Sequence, residues 1–205
     1  MKQYPSISKD HIHGVPFYVF DKLDGSNLRA DFSAKKGFWK FGTRTRLTDL
    51  SDPIGKLALP LIQAQEAAFA ALFQSLRERE ATCFFEFWGP SSFAGVHDYQ
   101  EAGHRVDLID VSIHRRGFMG PKEFVKTFEG HVPTAPLLYM GNVTEDLTQA
   151  VWDGTLPGMT FEGVVCKGAP LKKGYPPHMF KLKSQAWIAR VKSLYTDPAV
   201  LAELL

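Results

Sequence analysis

The chain has 205 residues, 44% of them hydrophobic and 22% charged, with a formal net charge of +2. That length and composition predict one globular domain over 1–205, with 184–205 as a short helical extension, and no run approaches the roughly 18 apolar residues that a membrane span needs, so a soluble protein with no membrane partner is the expectation. The opening Met1-Lys2-Gln3-Tyr4 carries no apolar targeting segment and Cys83 and Cys166 sit in strand-like runs as buried thiols do, so a cytoplasmic protein is the expectation, and the small basic excess names no partner by itself.

In chain order, Val15 to Leu23 is rich in aromatic and β-branched residues, Asp24-Gly25 supplies a turn, and Leu28 to Phe32 alternates again. With the turn at Lys36-Gly37 and the run Phe38-Trp39-Lys40-Phe41, this predicts a β-hairpin, or a strand, tight loop and strand, continuing into an antiparallel meander, which Gly42-Thr43-Arg44-Thr45-Arg46 leaves. After the breaker-rich stretch 51–55, apolar residues at Ile62, Phe69, Leu72, Phe73 and Leu76 predict a helix over 61–80. Two apolar strands follow, Thr82 to Trp88 with Glu86 in its middle, and Val106 to Ile113 with Asp107 and Asp110. A short helix is expected over 121–128, a strand over 137–140, and a helix over 144–152 with Thr144 as N-cap. Strands are expected over 160–167 and 179–183 with a surface loop over 168–178 between them. A helix from Ser184 carries Trp187, Val191 and Tyr195 on a core face, breaks near Asp197-Pro198 and resumes to Leu205.

The unusual feature is charge placed on apolar strands: Lys22 and Asp24 at the first turn, Glu162 and Lys167 on one late strand, and Lys181 and Lys183 on the next. A buried charge is costly unless paired, so several in one sheet are most economically turned toward one shared polar cleft, and such a cleft suits a phosphate-rich ligand. A lysine acts as a nucleophile only after losing its proton, which burial and neighbouring cations favour, and Lys22 fits that role. Asp24 and Glu162 are then candidates to hold a metal, and Lys181 and Lys183 to stabilise phosphate charge.

The ordered set resembles the covalent nucleotidyltransferases, the superfamily of ATP-dependent RNA and DNA ligases and mRNA capping enzymes. Lys22-Leu23-Asp24-Gly25-Ser26-Asn27 matches the K-x-(D/H)-G motif, whose lysine forms a lysyl-adenylate, and Asn27 is more like the RNA ligases than the DNA ligases. Arg44-Thr45-Arg46 resembles the family's arginine element, Phe85-Glu86-Phe87 the ribose-binding strand, and Asp107 to Val111, with Asp110, the strand beside the base. Glu162-Gly163-Val164-Val165 matches E-G-x-V, and Lys181-Leu182-Lys183 the terminal K-x-K that contacts the α-phosphate. The resemblance runs from Lys22 to Lys183 and is closest to the RNA ligase 2-like adenylyltransferases.

The resemblance implies an α+β fold of antiparallel sheets lining a nucleotide cleft with flanking helices, an ATP-grasp-like ligase nucleotidyltransferase domain without a full OB-fold or large C-terminal domain. It implies an ATP-dependent RNA ligase, with Lys22, Glu162, Lys181 and Lys183 catalytic. Asp21, Lys22, Asp24, Gly25, Asn27, Arg44, Arg46, Glu86, Asp110, Val165, Lys181 and Lys183 would bind the nucleotide, and Glu162 and Asp24 would hold Mg²⁺, or Mn²⁺ in its place. The implied partner is a nucleic acid with a 5′-phosphate end, RNA over DNA, in RNA repair, with a protein partner as one way of compensating for the short C-terminus. An adenylyltransferase with a non-polynucleotide acceptor and a non-catalytic nucleotide- or RNA-binding relative stand as alternatives.

Taken singly, several features have plainer readings. Asp24-Gly25 suits a hairpin turn with Lys22 on the solvent face, and Lys181-Leu182-Lys183 suits a charged edge strand. His11-Ile12-His13 lacks the Cys/His company of a zinc site, while Arg115-Arg116 and Lys172-Lys173 are either RNA-facing patches or solvated loop charges.

Overall fold

The computed structural model describes residues 1–8, 14–170 and 175–205, so His11, His13, Lys172 and Lys173 lie outside the described residues. The elements in order are β1 (Pro16–Asp21), β2 (Ser26–Ser33), β3 (Gly37–Thr43), α1 (Pro53–Gln63), α2 (Glu66–Ser75), β4 (Glu80–Trp88), β5 (Arg105–Ile113), β6 (Gly117–Phe118), α3 (Pro121–Phe128), β7 (Leu137–Asn142), α4 (Glu145–Trp152), β8 (Gly163–Pro170), β9 (Pro177–Lys183), α5 (Gln185–Leu194) and α6 (Pro198–Leu204). This is the expected α+β architecture, with two antiparallel sheets and flanking helices. No helix of the described residues is long and apolar enough to cross a membrane.

The chain divides into two compact units. The first comprises Met1–Ser6, Gly25–Ala135 and Ala169–Pro177, and holds the five-stranded sheet in the order β3-β2-β4-β5-β6 with α1, α2 and α3. Strand alternation sends Phe32, Phe38 and Phe85 to one face, where they meet Phe69 and Phe73 of α2. Phe128 of α3 closes the cluster, with ring centroids 5.9 Å from Phe69 and 6.1 Å from Phe73. The edge-to-face pairs among them, Phe32–Phe38, Phe38–Phe69, Phe69–Phe85 and Phe73–Phe128, add about 0.5–1.5 kcal/mol each beyond area burial. Alternation also fixes the opposite face: the register sets Asn27 beside Glu86 and Glu86 beside Asp107, so these three polar residues share a side.

The second unit comprises Ile7–Asp24, Pro136–Gly168 and His178–Leu205, and holds the sheet β7-β1-β8-β9 with α4, α5 and α6. Phe17 and Val19 of β1, Val164 and Cys166 of β8, and Phe180 and Leu182 of β9 form its core with Leu147 and Val151 of α4. The period of two then puts Lys22, Val165, Lys167, Lys181 and Lys183 on the other side of the same sheet. Thr144 caps α4, its hydroxyl accepting from Leu147 N at 3.2 Å, as its sequence position predicts.

Three local expectations are corrected. β1 does not pair with β2: it lies between β7 and β8, in a different sheet, so of the two readings of Asp24-Gly25 the hairpin turn fails and the strand, tight loop and strand holds. The helix expected over 61–80 is two helices, and the first begins at Pro53 behind its N-cap Asp52. Proline at the first helical position gives up an N–H that has no intrahelical acceptor, so the breaker signal there marks a helix start. The loop expected over 168–178 is shortened, because β8 runs to Pro170 and β9 begins at Pro177. Of the stripe on α5, Trp187 and Val191 are buried while Tyr195, half-buried, is the C-cap.

Candidate active site

In the second unit Lys22 follows the last residue of β1, and its backbone N–H donates to Gly163 O at 2.9 Å, carrying the β1–β8 ladder one step further. Glu162 immediately precedes β8, and its carbonyl accepts from Ser184 N at 3.0 Å at the end of β9. Gly163 between them has φ +139°, and a Cβ there would lie 2.1 Å from Leu182 O. Only glycine admits that approach of two strands, which draws Glu162 and Lys183 to the same end of the sheet.

The side chains meet as a carboxylate between two ammoniums. Lys22 Nζ donates to Glu162 Oε2 at 2.8 Å, and Lys183 Nζ lies 2.9 Å from Glu162 Oε1. The Glu162 side chain is 5% exposed, Lys183 7% and Lys22 21%, so Lys22 is the member of the trio that keeps access to solvent. Burial pushes the Lys183 ammonium down to about 8; Glu162 opposes the shift, and the Lys22 and Lys181 charges add to it. Lys183 also packs over the Trp187 ring, 3.6 Å from its centroid, and donates to Leu204 O. Cation–π contact and a carbonyl acceptor offset part of the cost of holding that charge in a dry place.

Two further carboxylates flank the trio. Asp24 accepts a hydrogen bond from Trp187 Nε1 at 2.5 Å. Asp21 is buried, its Oδ1 accepts from Thr160 N at 3.0 Å, and its buried Oδ2 has no hydrogen-bond partner among the described residues. Burial raises the Asp21 pKa, the Thr160 contact opposing it and Glu162 adding to it. Lys167 is buried with its ammonium 5.1 Å from the centre of the Phe20 ring, and Val165 stands opposite Phe20. Lys181 is half-buried and its backbone N–H donates to Ser8 O at 3.1 Å.

Asp21, Lys22, Asp24, Glu162, Val165, Lys181 and Lys183 thus all belong to the second unit, and Gly25, Asn27, Arg44, Arg46, Glu86 and Asp110 to the first. A Cβ on Gly25 would lie 2.2 Å from Phe87 O, so this position too is closed to any side chain. Asn27 donates to Phe85 O at 3.5 Å and its Oδ1 is buried with no partner among the described residues. The arginines differ: Arg46 is engaged by both oxygens of Asp52, at 2.9 and 2.8 Å, whereas exposed Arg44 makes one 3.3 Å bond to Ser6 Oγ. Arg46 and Thr48 together hold the Asp52 carboxyl at about 2.

Asp110 accepts from the Tyr4 hydroxyl at 3.0 Å, and the Tyr4 ring packs tilted against Phe84, with centroids 5.1 Å apart. Asp107, the residue opposite Glu86, accepts from Trp88 Nε1. Tyr4, Trp88 and Trp187 were not legible as site neighbours, since aromatic residues near strands read first as core. The indole N–H is the signal that could have found the two tryptophans, because a buried one needs an acceptor.

Among the described residues no group of three or more His, Cys, Asp and Glu side chains is placed to hold a metal ion. The site does not fit a cation that demands a protein cage. It fits a magnesium-type ion, which keeps several waters and takes one or two carboxylates together with substrate phosphate oxygens.

The fold is similar to that of solved RNA ligase structures. A structure of Naegleria gruberi RNA ligase with pyrophosphate matches with a TM-score of 0.60 at 20% identity, over 88% of this chain and 53% of that one. A variant of the same enzyme with ATP and Mn matches with a TM-score of 0.61 at 20% identity, over 93% and 60%, and another with AMP and Mn with 0.60 at 18%, over 88% and 53%. The likeness is one of fold, and this chain spans little more than half the length of those ligase chains. No protein-family model and no curated protein sequence matches the chain.

Proposed function

We propose that this chain is an ATP-dependent RNA ligase that works through a covalent lysyl-AMP on Lys22. The observation that carries the reading is the carboxylate of Glu162 held between Lys22 and Lys183, in a fold like that of RNA ligase structures with ATP and AMP. The placement suits a nucleophile: Lys22 is held by Glu162 yet keeps solvent access, beside the Lys183 ammonium that shares the same carboxylate.

In the proposed reaction Lys22 gives up a proton and its Nζ attacks the α-phosphorus of ATP. A P–N bond forms, the bond to the bridging oxygen breaks and pyrophosphate leaves. Lys183 and Lys181 donate to the non-bridging α-phosphate oxygens as charge grows on them. Glu162, released from Lys22 as that lysine becomes neutral, would hold a magnesium-type ion together with Asp24, and the ion's chemistry there is neutralisation of phosphate charge. The 5′-phosphate of an RNA end then attacks the phosphorus and frees Lys22, and a 3′-hydroxyl displaces AMP to join the strands. Asp21, Gly25, Asn27, Arg44, Arg46, Glu86, Asp110 and Val165 are proposed as nucleotide-binding residues, with Arg44 the arginine more available to a ligand because Arg46 is tied to Asp52. A preference for RNA over DNA, a protein partner and a cytoplasmic location belong to the same proposal.

Ligation tests it. Wild-type protein with ATP and Mg²⁺ is expected to seal 5′-phosphorylated RNA, nicked or single-stranded, while Lys22→Ala seals neither. Equal sealing by Lys22→Ala, or no sealing of any RNA or DNA by a wild type that still forms lysyl-AMP, contradicts the proposal, the latter favouring a different acceptor.

A further inference from the structure

The β2–β3 turn, the residue before β4 and the β5–β6 turn converge at one end of the five-stranded sheet, because Ser33 lies opposite both Gly37 and Glu80, and Ile113 opposite both Ala81 and Gly117. Each of the three carries basic residues: Lys35 and Lys36, then Arg79, then Arg115 and Arg116. They line a cavity of about 1060 Å³ in the first unit together with Lys2, and among the described residues Asp31 and Glu80 are the only acidic side chains lining it. That volume stands at the top of the range for small-molecule pockets, about 300–1,000 Å³, and suits a groove that takes a length of polymer.

The cations are not spent on one another's counter-ions. Arg116 is neutralised by Glu78 and Glu123, but exposed Lys35, Arg79 and Arg115 make no side-chain hydrogen bond or ion pair among the described residues. Arg115 sits at φ +62°, left-handed backbone at which glycine would be unstrained and any other side chain costs about 1–2 kcal/mol. Trp39, also lining the cavity, is 48% exposed with Lys36 Nζ 4.5 Å and Lys40 Nζ 5.9 Å from its ring centroid. An exposed indole flanked by ammoniums beside unpaired cations is the combination that binds single strands, one part stacking on a base and the others meeting phosphates.

We propose that this groove binds single-stranded nucleic acid, at a site apart from Glu86 of the same unit. Glu80 in the groove and Glu86 are six residues apart on β4, about 20 Å along the strand, so the groove is a holding surface for the polymer. The choice of RNA as the polymer rests on the proposed function, and the test separates the two.

The test is anisotropy of a labelled single-stranded 12-mer RNA titrated with wild-type protein and with the triple variant Lys35→Ala, Arg79→Ala, Arg115→Gly. Loss of three phosphate contacts is expected to weaken binding about tenfold or more at 0.1 M salt and to flatten the slope of log K against log salt by about 2. Arg115→Gly relieves the backbone, so the triple variant is expected to unfold no earlier than wild type, and lysyl-AMP formation is expected to be unchanged. RNA is expected to quench fluorescence in wild type and not in Trp39→Phe. Unchanged affinity and slope in the triple variant overturn the proposal, as does equal competition by polyglutamate or duplex RNA, which indicates an acidic-protein or general polyanion surface. If lysyl-AMP does not form but the RNA result holds, the proposed function fails and the groove stands.

Discussion

Glu162→Gln removes the charge between two ammonium groups while keeping the size of the side chain. Both oxygens are in use, at 2.8 Å to Lys22 and 2.9 Å to Lys183, and removing one partner of a buried ion pair ordinarily costs about 3–5 kcal/mol. Here the cost is capped. Burial already brings Lys183 down to about 8, so at pH 7 shedding its proton takes about 1.4 kcal/mol. The lost hydrogen bond adds about 1 kcal/mol, and Lys22, 21% exposed, can turn to water. The expected destabilisation at pH 7 is therefore about 2–3 kcal/mol. The pH dependence follows from the same residue. The folded pKa of Lys183 lies below its unfolded 10.5, so between the two the unfolded chain binds more protons and wild-type stability from this group rises with pH. By pH 9 wild-type Lys183 has already become mostly neutral, and the deficit of the variant shrinks to about 1 kcal/mol. Urea denaturation of both proteins at pH 7 and pH 9 reads the two values. A deficit of about 4 kcal/mol or more, or one equal at the two pH values, refutes the argument that Lys183 can discharge.

Three other outcomes follow from named contacts. Gly163→Ala sets a Cβ 2.1 Å from Leu182 O at φ +139°, so thermal unfolding is expected to show a loss of about 3 kcal/mol or more; an unchanged melting temperature contradicts the close approach. For kcat/KM of adenylylation, wild type is expected to fall as pH rises past about 8, where Lys183 loses its charge. Lys183→Arg, always charged, is expected to lack that descending limb even if it is slower throughout, and a limb that stays in place assigns it elsewhere. Phe69→Ala, at the centre of the ring cluster with Phe38, Phe85 and Phe128, is expected to cost about 3–5 kcal/mol in urea denaturation; a loss under about 1 kcal/mol places the core elsewhere.

The strands were legible because each carries its own period of two, and the helices at 121–128 and 144–152 because their apolar spacing and cap are local. What failed was pairing. Asp24-Gly25 has the chemistry of a hairpin turn, but β1 takes its partners from β7 and β8, more than a hundred residues along the chain, and nothing near residue 24 encodes them. Pro53 misled in a different way, since proline stops a helix in its interior and starts one at its first position. At the candidate site, the residue types on β8 and β9 pointed to a shared polar face, and the alternation of those strands delivers it. That Glu162 divides its two oxygens between Lys22 and Lys183 depends on the approach at Gly163, which is a three-dimensional fact. Asp24 shows the same limit: its partner Trp187 comes from α5, where sequence spacing read it only as core.

The central claim is that Lys22 becomes covalently adenylylated. Wild-type protein incubated with ATP and Mg²⁺, quenched and digested, can be mapped by tandem mass spectrometry for AMP on individual lysines. One adenylate is expected, on the peptide carrying Lys22, acid-labile as a phosphoramide and absent from Lys22→Ala. An adenylate on Lys181, Lys183 or any other residue of wild type, or its persistence in Lys22→Ala, contradicts it.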